Sequence, residues 1–184
     1  PMRMFIDASI HGERNPELEK LAAFKAIEFL SQVAAERHKL NLPATKIEQE
    51  PDSSVVREMW KACRMIISTD LTPMAAVAGS IADAVADYLI SEGATRSIVN
   101  NGGDVALRTI EDAPITVGIR SDISSHIVDH KLPVLGSDRV GGVCSSGLGG
   151  RSFTRGIASS AVVFAARCSV ADAAATEIAN HTYI

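Results

Sequence analysis

The sequence predicts an α+β fold in which helices pack on a largely antiparallel sheet. Three observations carry that expectation. Apolar residues recur at helical spacing through three long stretches of the first half. From about residue 97 to 168 the pattern changes to short alternating stretches broken by Gly and Pro. One further helical run then closes the chain, and helices first with hairpins later is the order of an α+β chain. At 184 residues the chain suits one domain, and a domain of this size removes ~70% of its unfolded surface from water without needing staples.

The elements follow in order. MRMFIDASIH alternates in places and predicts a strand. RNPELEKLAAFKAIEFLSQVAAERHK predicts a helix: Asn15 suits the N-cap, Pro16 the first helical position, and Glu17 and Glu19 the positive first turn. Ala23, Ala26, Ile27, Leu30, Val33 and Ala34 are expected to form its buried stripe. Residues 41–52 are polar and broken by proline, a connection. Ser53 or Ser54 can cap a second helix, with Val56, Met59, Trp60, Cys63 and Ile66 on one face. PMAAVAGSIADAVADYLISEG predicts a third, deeply buried helix. Met74, Val77, Ala78, Ile81, Val85, Tyr88 and Leu89 keep its period, and Gly93 stands as its C′ residue. Ile115, Val117 and Ile119 alternate with polar neighbours, and EDAP ahead of them can turn a hairpin. AVVFAARC reads as a buried strand. The last helix is expected near Val170, with Ala171, Ala174, Ala175 and Ile178 inward.

Composition narrows the function classes. Hydrophobic residues make up 46% of the chain and aromatics 4%, so the core must be built of Ala, Val, Ile and Leu. A net charge of −4 leaves no basic surplus for a phosphate backbone, which argues against nucleic acid as a partner. Cys63, Cys144 and Cys168 are far apart with no C-x-x-C, which predicts buried free thiols in a reducing compartment. No run reaches the ~20 apolar residues of a bilayer span, and the start lacks the shape of a secretory signal. A cytoplasmic protein with no membrane partner is therefore expected. The ending NHTYI carries no terminal signal, so a native chain can continue past residue 184.

Candidate chemistry sits in three places. In Asn100-Asn101-Gly102-Gly103-Asp104 the glycines permit positive φ and close approach, and successive N–H groups there can form an anion nest. A tight hairpin would favour the same residues. GGVCSSGLGGRSFTRG holds Ser145, Ser146 and Gly147, with Arg151 and Arg155 to supply charge. It suits either a phosphate wrap or a plain loop. In SVADAAATEIAN, Asp172 and Thr176 are four apart, on one helix face with Cβ atoms ~5–6 Å apart. A carboxylate and a hydroxyl are hard oxygen ligands of the kind Mg²⁺ accepts, although a helix-dipole role for Asp172 and packing for Thr176 would use the same residues. His126 and His130 are four apart in a stretch that looks like strand or loop, a poor zinc pair. Asp83 and Asp87 suit a solvated helix edge better than an acid–base pair.

In combination, MAAVAGSIADAV, GATRSIVNNGGDVALR, ITVGIRSD, CSSG and SVADAAAT resemble the ApbE proteins, FAD:protein FMN transferases, and more closely a short ApbE-like branch found in archaea and bacteria. The likeness covers roughly residues 50 to 181. It implies one ApbE-like, T-fold-like domain over residues 1–184. It also implies Mg²⁺ held by the side chains of Asp172 and Thr176 and a backbone carbonyl near Val77. Val77, Ala78 and Gly79 would line the nucleotide. Asn100, Asn101, Gly102, Gly103 and Asp104 would form the flavin-side loop, and Ser145-Ser146-Gly147 would stand for the family's Thr-Ser-Gly. The implied ligand is FAD or a related nucleotide, and the implied activity is Mg²⁺-dependent transfer of FMN from FAD to a protein hydroxyl, or FAD pyrophosphatase chemistry. Two departures keep a non-catalytic ligand-binding module open as the alternative. Ala78 stands where the family's IAKG phrase has Lys, and its His-x-x-Asp-Pro-x-Thr-Gly segment has no counterpart in GLGGRSFTRGIASS. A homodimer also stays open.

Overall fold

The computed structural model describes residues 2–111, 113–120, 127–148 and 154–182. Helices cover one face of a six-stranded antiparallel sheet, and a separate two-stranded hairpin covers part of the other. The elements are β1 (Met4–Ile10), β2 (Glu13–Arg14), α1 (Pro16–Ala35), α2 (Arg37–Leu40), α3 (Ser54–Met65), α4 (Val77–Ser91), β3 (Arg96–Asn101), β4 (Asp104–Thr109), β5 (Ile115–Ile119), β6 (His130–Val134), β7 (Gly142–Ser146), β8 (Ala161–Ala165) and α5 (Cys168–Asn180). The sheet runs β2-β1-β3-β4-β7-β8, and β5 pairs only with β6. β4 and β5 therefore lie in different sheets, and among the described residues no β4–β5 hairpin forms where EDAP was expected to turn one.

Helix starts follow their local signals. Asn15 caps α1 by accepting from Leu18 N at 3.1 Å, and Pro16 fills its first position. Ser53 occupies the N-cap of α3, but its hydroxyl donates to Gln32 Oε1 at 2.7 Å and makes no cap bond. The third predicted helix is split: Pro73–Ala76 form a 3₁₀ turn and α4 begins at Val77. Gly93, at φ +96°, ends it as expected. By length and composition Pro73–Ser91 could cross a membrane, a correction to the expectation that no run reaches that size. Half of that stretch is buried, however, and α4 packs against α1, α5, β3 and β4 at the centre of the core.

The core lies between the helices and the inner sheet face. Ile81, Val85 and Leu89 of α4, Val56 and Met59 of α3, Val99 of β3 and Ala171 and Ala175 of α5 are buried in it. Three expectations shift. On α1 the buried face is Ala22, Ala26 and Val33, while Ala23, Ile27, Leu30 and Ala34 are exposed. On α5, which starts at Cys168, Ile178 is exposed and Ala179 is buried. Of AVVFAARC, Ala161–Ala165 form the edge strand β8, only partly covered, and Cys168 begins α5. A second, smaller apolar cluster of Leu107, Ile115, Val134 and Val143 joins the β5–β6 hairpin to the outer sheet face.

Candidate functional site

The inner face of β3 runs along α4 and sets the geometry of the site. Ser97 donates to Ala86 O at 3.3 Å, and two pleats on, Asn101 Nδ2 donates to Ala78 O at 3.2 Å, so β3 ends beside the first turn of α4. There the chain reverses in two residues. Asn101 pairs with Asp104, and Gly102 (φ +74°) and Gly103 (φ +118°) supply the two positive φ values of a type I′ turn. Asn100 Oδ1 accepts from Gly103 N at 2.8 Å, so that N–H serves the turn. The tight-hairpin alternative therefore describes the backbone.

α5 approaches the same helix start from the other side. A side chain at Gly79 would run into the Cys168 carbonyl oxygen and lie 2.9 Å from Asp172 Cβ, so glycine is what lets the two helices close. Asp172 Oδ2 accepts from Gly79 N at 2.9 Å. Asp172 thus caps α4, where the helix has no cap from its own N-cap residue, Ala76. Burial pushes the Asp172 carboxyl well above the usual carboxylate range and the negative charge of Asp104 pushes it further. The N–H groups of Gly79 and Ala78 pull the other way. A buried carboxylate thus feels the charge of a half-buried one beside the same cavity, an arrangement a cation would relieve.

These groups open on a cavity of about 680 Å³, within the ~300–1,000 Å³ range of small-molecule sites. Asp104, Asp172, Thr176 and Asn101 form its polar end. Leu71, Met74, Ala75, Val77 and Ala78 make an apolar wall, and Met2, Thr72, Gly102 and Asn180 also line the cavity. The exposed residues at the edge are Arg3 and the ion pair Arg155–Asp70, 2.6 Å apart. The backbone N–H of Arg155 also donates to Asn180 Oδ1 at 3.0 Å.

The sequence-derived site residues divide between this cavity and a second hollow. Val77, Ala78, Asn101, Gly102, Asp104, Asp172 and Thr176 line the cavity. Gly79 does not; it is packed between α4 and α5. Asn100, Gly103, Ser145, Ser146 and Gly147 line a hollow of about 420 Å³ with residues of the β5–β6 hairpin, and only Gly102 borders both. Arg151 and His126 lie outside the described residues. His130 is exposed on β6, 3.1 Å from its neighbour Asp129. Among the described residues no three His, Cys, Asp or Glu side chains gather to hold a metal. A cation at the acidic end would have to rely on hydroxyl, carbonyl and water oxygens beside the two carboxylates.

Asp83 departs most from expectation. It is 1% exposed, accepts from the N–H groups of Cys168 (3.1 Å) and Ser169 (2.8 Å) and is 2.7 Å from Arg108. It caps α5 as Asp172 caps α4. Asp87, half-exposed, joins Arg108 (2.7 Å) and Arg167 (2.8 Å). The pair is a structural ion network, neither a solvated edge nor an acid–base pair. Sequence spacing put Asp83 and Asp87 on one helix face, but nothing in it showed that face turned toward the start of α5. Arg3, Asp70 and Asn180 also line the cavity: Arg3 and Asp70 lie outside regular elements, which carry no periodicity, and Asn180 is the last residue of α5.

The sequence model of the family described as AbpE bacteria matches residues 1–183. A UPF0280 protein of Methanococcoides burtonii is 44% identical over 118 residues, 64% of this chain and 48% of that protein. A UPF0280 protein of Methanobrevibacter smithii is 34% identical over 142 residues, covering 77% and 58% respectively. The chain spans about half the length of these relatives. Among solved structures, the ApbE protein of Thermotoga maritima aligns with a TM-score of 0.48 and 22% identity over 58% of this chain and 40% of that one. The flavin transferase ApbE of Vibrio cholerae aligns at 0.38 and 14%, over 84% and 63%. With a match over almost its whole length, the chain belongs to the ApbE-like family, in the group described as AbpE bacteria.

Proposed function

We propose that the 680 Å³ cavity binds a flavin nucleotide, FAD or a related nucleotide diphosphate, together with Mg²⁺. One observation supports this above the others: the double-glycine turn and the acidic turn of α5, distant in sequence, border one cavity at the start of α4. The donor set suits the ion. Asp172 is a buried carboxylate with Asp104 close enough to disfavour its charge, and Thr176 stands one turn further along the same wall. Oxygen donors with room for water suit Mg²⁺ rather than a thiolate-seeking metal.

Bound there, Mg²⁺ would neutralise the diphosphate and allow it to sit beside two carboxylates. The protein's own groups would do the rest. Arg3 and Arg155 place positive charge at the edge of the cavity, where an anionic ligand enters. Met74, Ala75 and Val77 offer an apolar wall for a ring system, and Asn101, held to Ala78 O, fixes the turn against the helix start.

Transfer of FMN from FAD is the activity that membership of the family suggests. Binding without turnover is the second proposal. Ala78 lines the cavity where the ApbE phrase carries Lys, so a cationic group that could meet a phosphate is missing there. The two separate on incubation with FAD and Mg²⁺, with and without a Thr-bearing acceptor peptide. AMP release that depends on the acceptor marks a transferase, release without it a pyrophosphatase, and tight binding with no AMP a binding module. No binding of FAD, FMN or AMP removes the proposal.

A further inference from the structure

α1 carries two apolar faces. One, Ala22, Ala26 and Val33, is in the core. The other points outward. Leu21, Phe24, Ile27 and Leu30 are 47%, 63%, 60% and 38% exposed, and Ala23 and Ala34 are exposed among them, with Lys20, Ser31 and, between Phe24 and Leu21 around the helix, Glu17 and Glu28 as polar interruptions. A surface helix ordinarily gives that face to charged residues, and contiguous apolar patches of this kind mark interaction sites.

We infer that this face is the interface of a homodimer in which α1 packs antiparallel against α1 of a second copy, with the two-fold axis passing near Ile27. Charge along the helix selects the orientation. Glu17 lies in the first turn, and Arg37, His38 and Lys39 follow the last. Antiparallel pairing centred on Ile27 sets residue i opposite residue 54 − i in the second copy. Ile27 then meets its own symmetry mate, Phe24 meets Leu30 and Lys20 meets Ala34, and the first turn with Glu17 lies toward the end of the second copy where Arg37, His38 and Lys39 follow α1. Parallel pairing would stack acidic on acidic and basic on basic, whereas the antiparallel pair also sets each helix's positive start beside the other's negative end.

The area places the contact at the small, weakly associating end of specific interfaces. A large apolar side chain offers on the order of 150–200 Å², so the four half-exposed ones supply roughly 350 Å² per copy. Ala23, Ser31, Ala34 and the charged ends bring the pair toward the ~1,200 Å² in total that small specific interfaces bury.

Sedimentation or light scattering of the 184-residue chain tests this. The expected mass is twice the 19.5 kDa of one chain. Ile27→Glu, at an exposed position that leaves the core intact, is expected to give monomers, with self-association weakened by about 30-fold or more. Glu17→Arg alone is expected to weaken the dimer, and Glu17→Arg with Arg37→Glu to restore it. Ile27→Cys is expected to cross-link two copies under mild oxidation. A monomer at all concentrations overturns the inference. So does a dimer unaffected by Ile27→Glu.

Discussion

The N–H of Gly79 donates to Asp172 Oδ2 at 2.9 Å across the contact between α4 and α5. Asp83 of α4 returns the interaction by accepting from Cys168 N and Ser169 N of α5. Each helix therefore receives its N-terminal cap from a carboxylate of the other. The consequence for function is positional: the carboxylate that caps α4 also forms the acidic end of the cavity, so site and scaffold share an atom group.

Closeness at this contact depends on Gly79. A Cβ there would meet the Cys168 carbonyl, which is backbone and cannot rotate away. Gly79→Ala is expected to destabilise the protein by about 1–3 kcal/mol, the range for overpacking. Urea unfolding checks this, and an unchanged midpoint would show that the helices can separate at no cost.

Asp83 holds two N–H groups and Arg108 in a place only 1% exposed. Asp83→Ala leaves all three without that partner, and removing one member of a buried pair costs about 3–5 kcal/mol. Asp83→Asn keeps the acceptor oxygen and is expected to cost less. The order Ala worse than Asn, measured by denaturant unfolding, is the test.

Acid sensitivity is expected from Asp87. Burial pushes its carboxyl up, but the hydrogen bond from Arg167 and the charge of Arg108 outweigh that and hold it below the ordinary value. A lowered folded value means the unfolded chain takes up the proton first as pH falls. The stabilisation is present above the unfolded value, ~4 for Asp, and is lost as pH falls through the folded value. Melting temperature against pH should drop in that window, and Asp87→Asn should start lower at pH 7 and show a shallower drop.

The thiols are expected to be silent in the folded protein. Cys63, Cys144 and Cys168 are all buried, and desolvation pushes the Cys63 and Cys144 thiols up, away from the reactive thiolate. An aromatic disulfide reagent should titrate none of them quickly in buffer and all three in denaturant. A fast-reacting thiol in the native state would contradict the placement of that cysteine.

Much of the scaffold was legible in the sequence because it is local. Asn15-Pro16 starts α1, Gly93 ends α4, and Gly102-Gly103 turns β3 into β4. Asp172 and Thr176 were legible as a pair from helical spacing alone. What escaped depends on partners far along the chain. On α1, hydrophobicity could not distinguish the stripe facing the core from the one facing outward, because both are apolar. The strand AVVFAARC looks buried by composition, yet it lies at the sheet edge. Asp83 looked like surface because its partners, Arg108 and the start of α5, are 25 and 85 residues away. The family resemblance grouped Ser145 and Ser146 with Asp172, but the sheet places them with Gly103 at the second hollow, away from the cavity that Asp172 lines.

In the proposed function the carboxylate of Asp172 serves a cation-assisted nucleotide site. Calorimetric titration of FAD into the wild-type chain and into Asp172→Asn, each with and without Mg²⁺, addresses it most directly. Asn can still accept from the Gly79 N–H, so the variant should fold with an equal or higher melting temperature in the absence of metal. Mg²⁺ is expected to strengthen FAD binding in the wild type and to have no such effect in Asp172→Asn. Equal Mg²⁺-dependent binding by both proteins would contradict it.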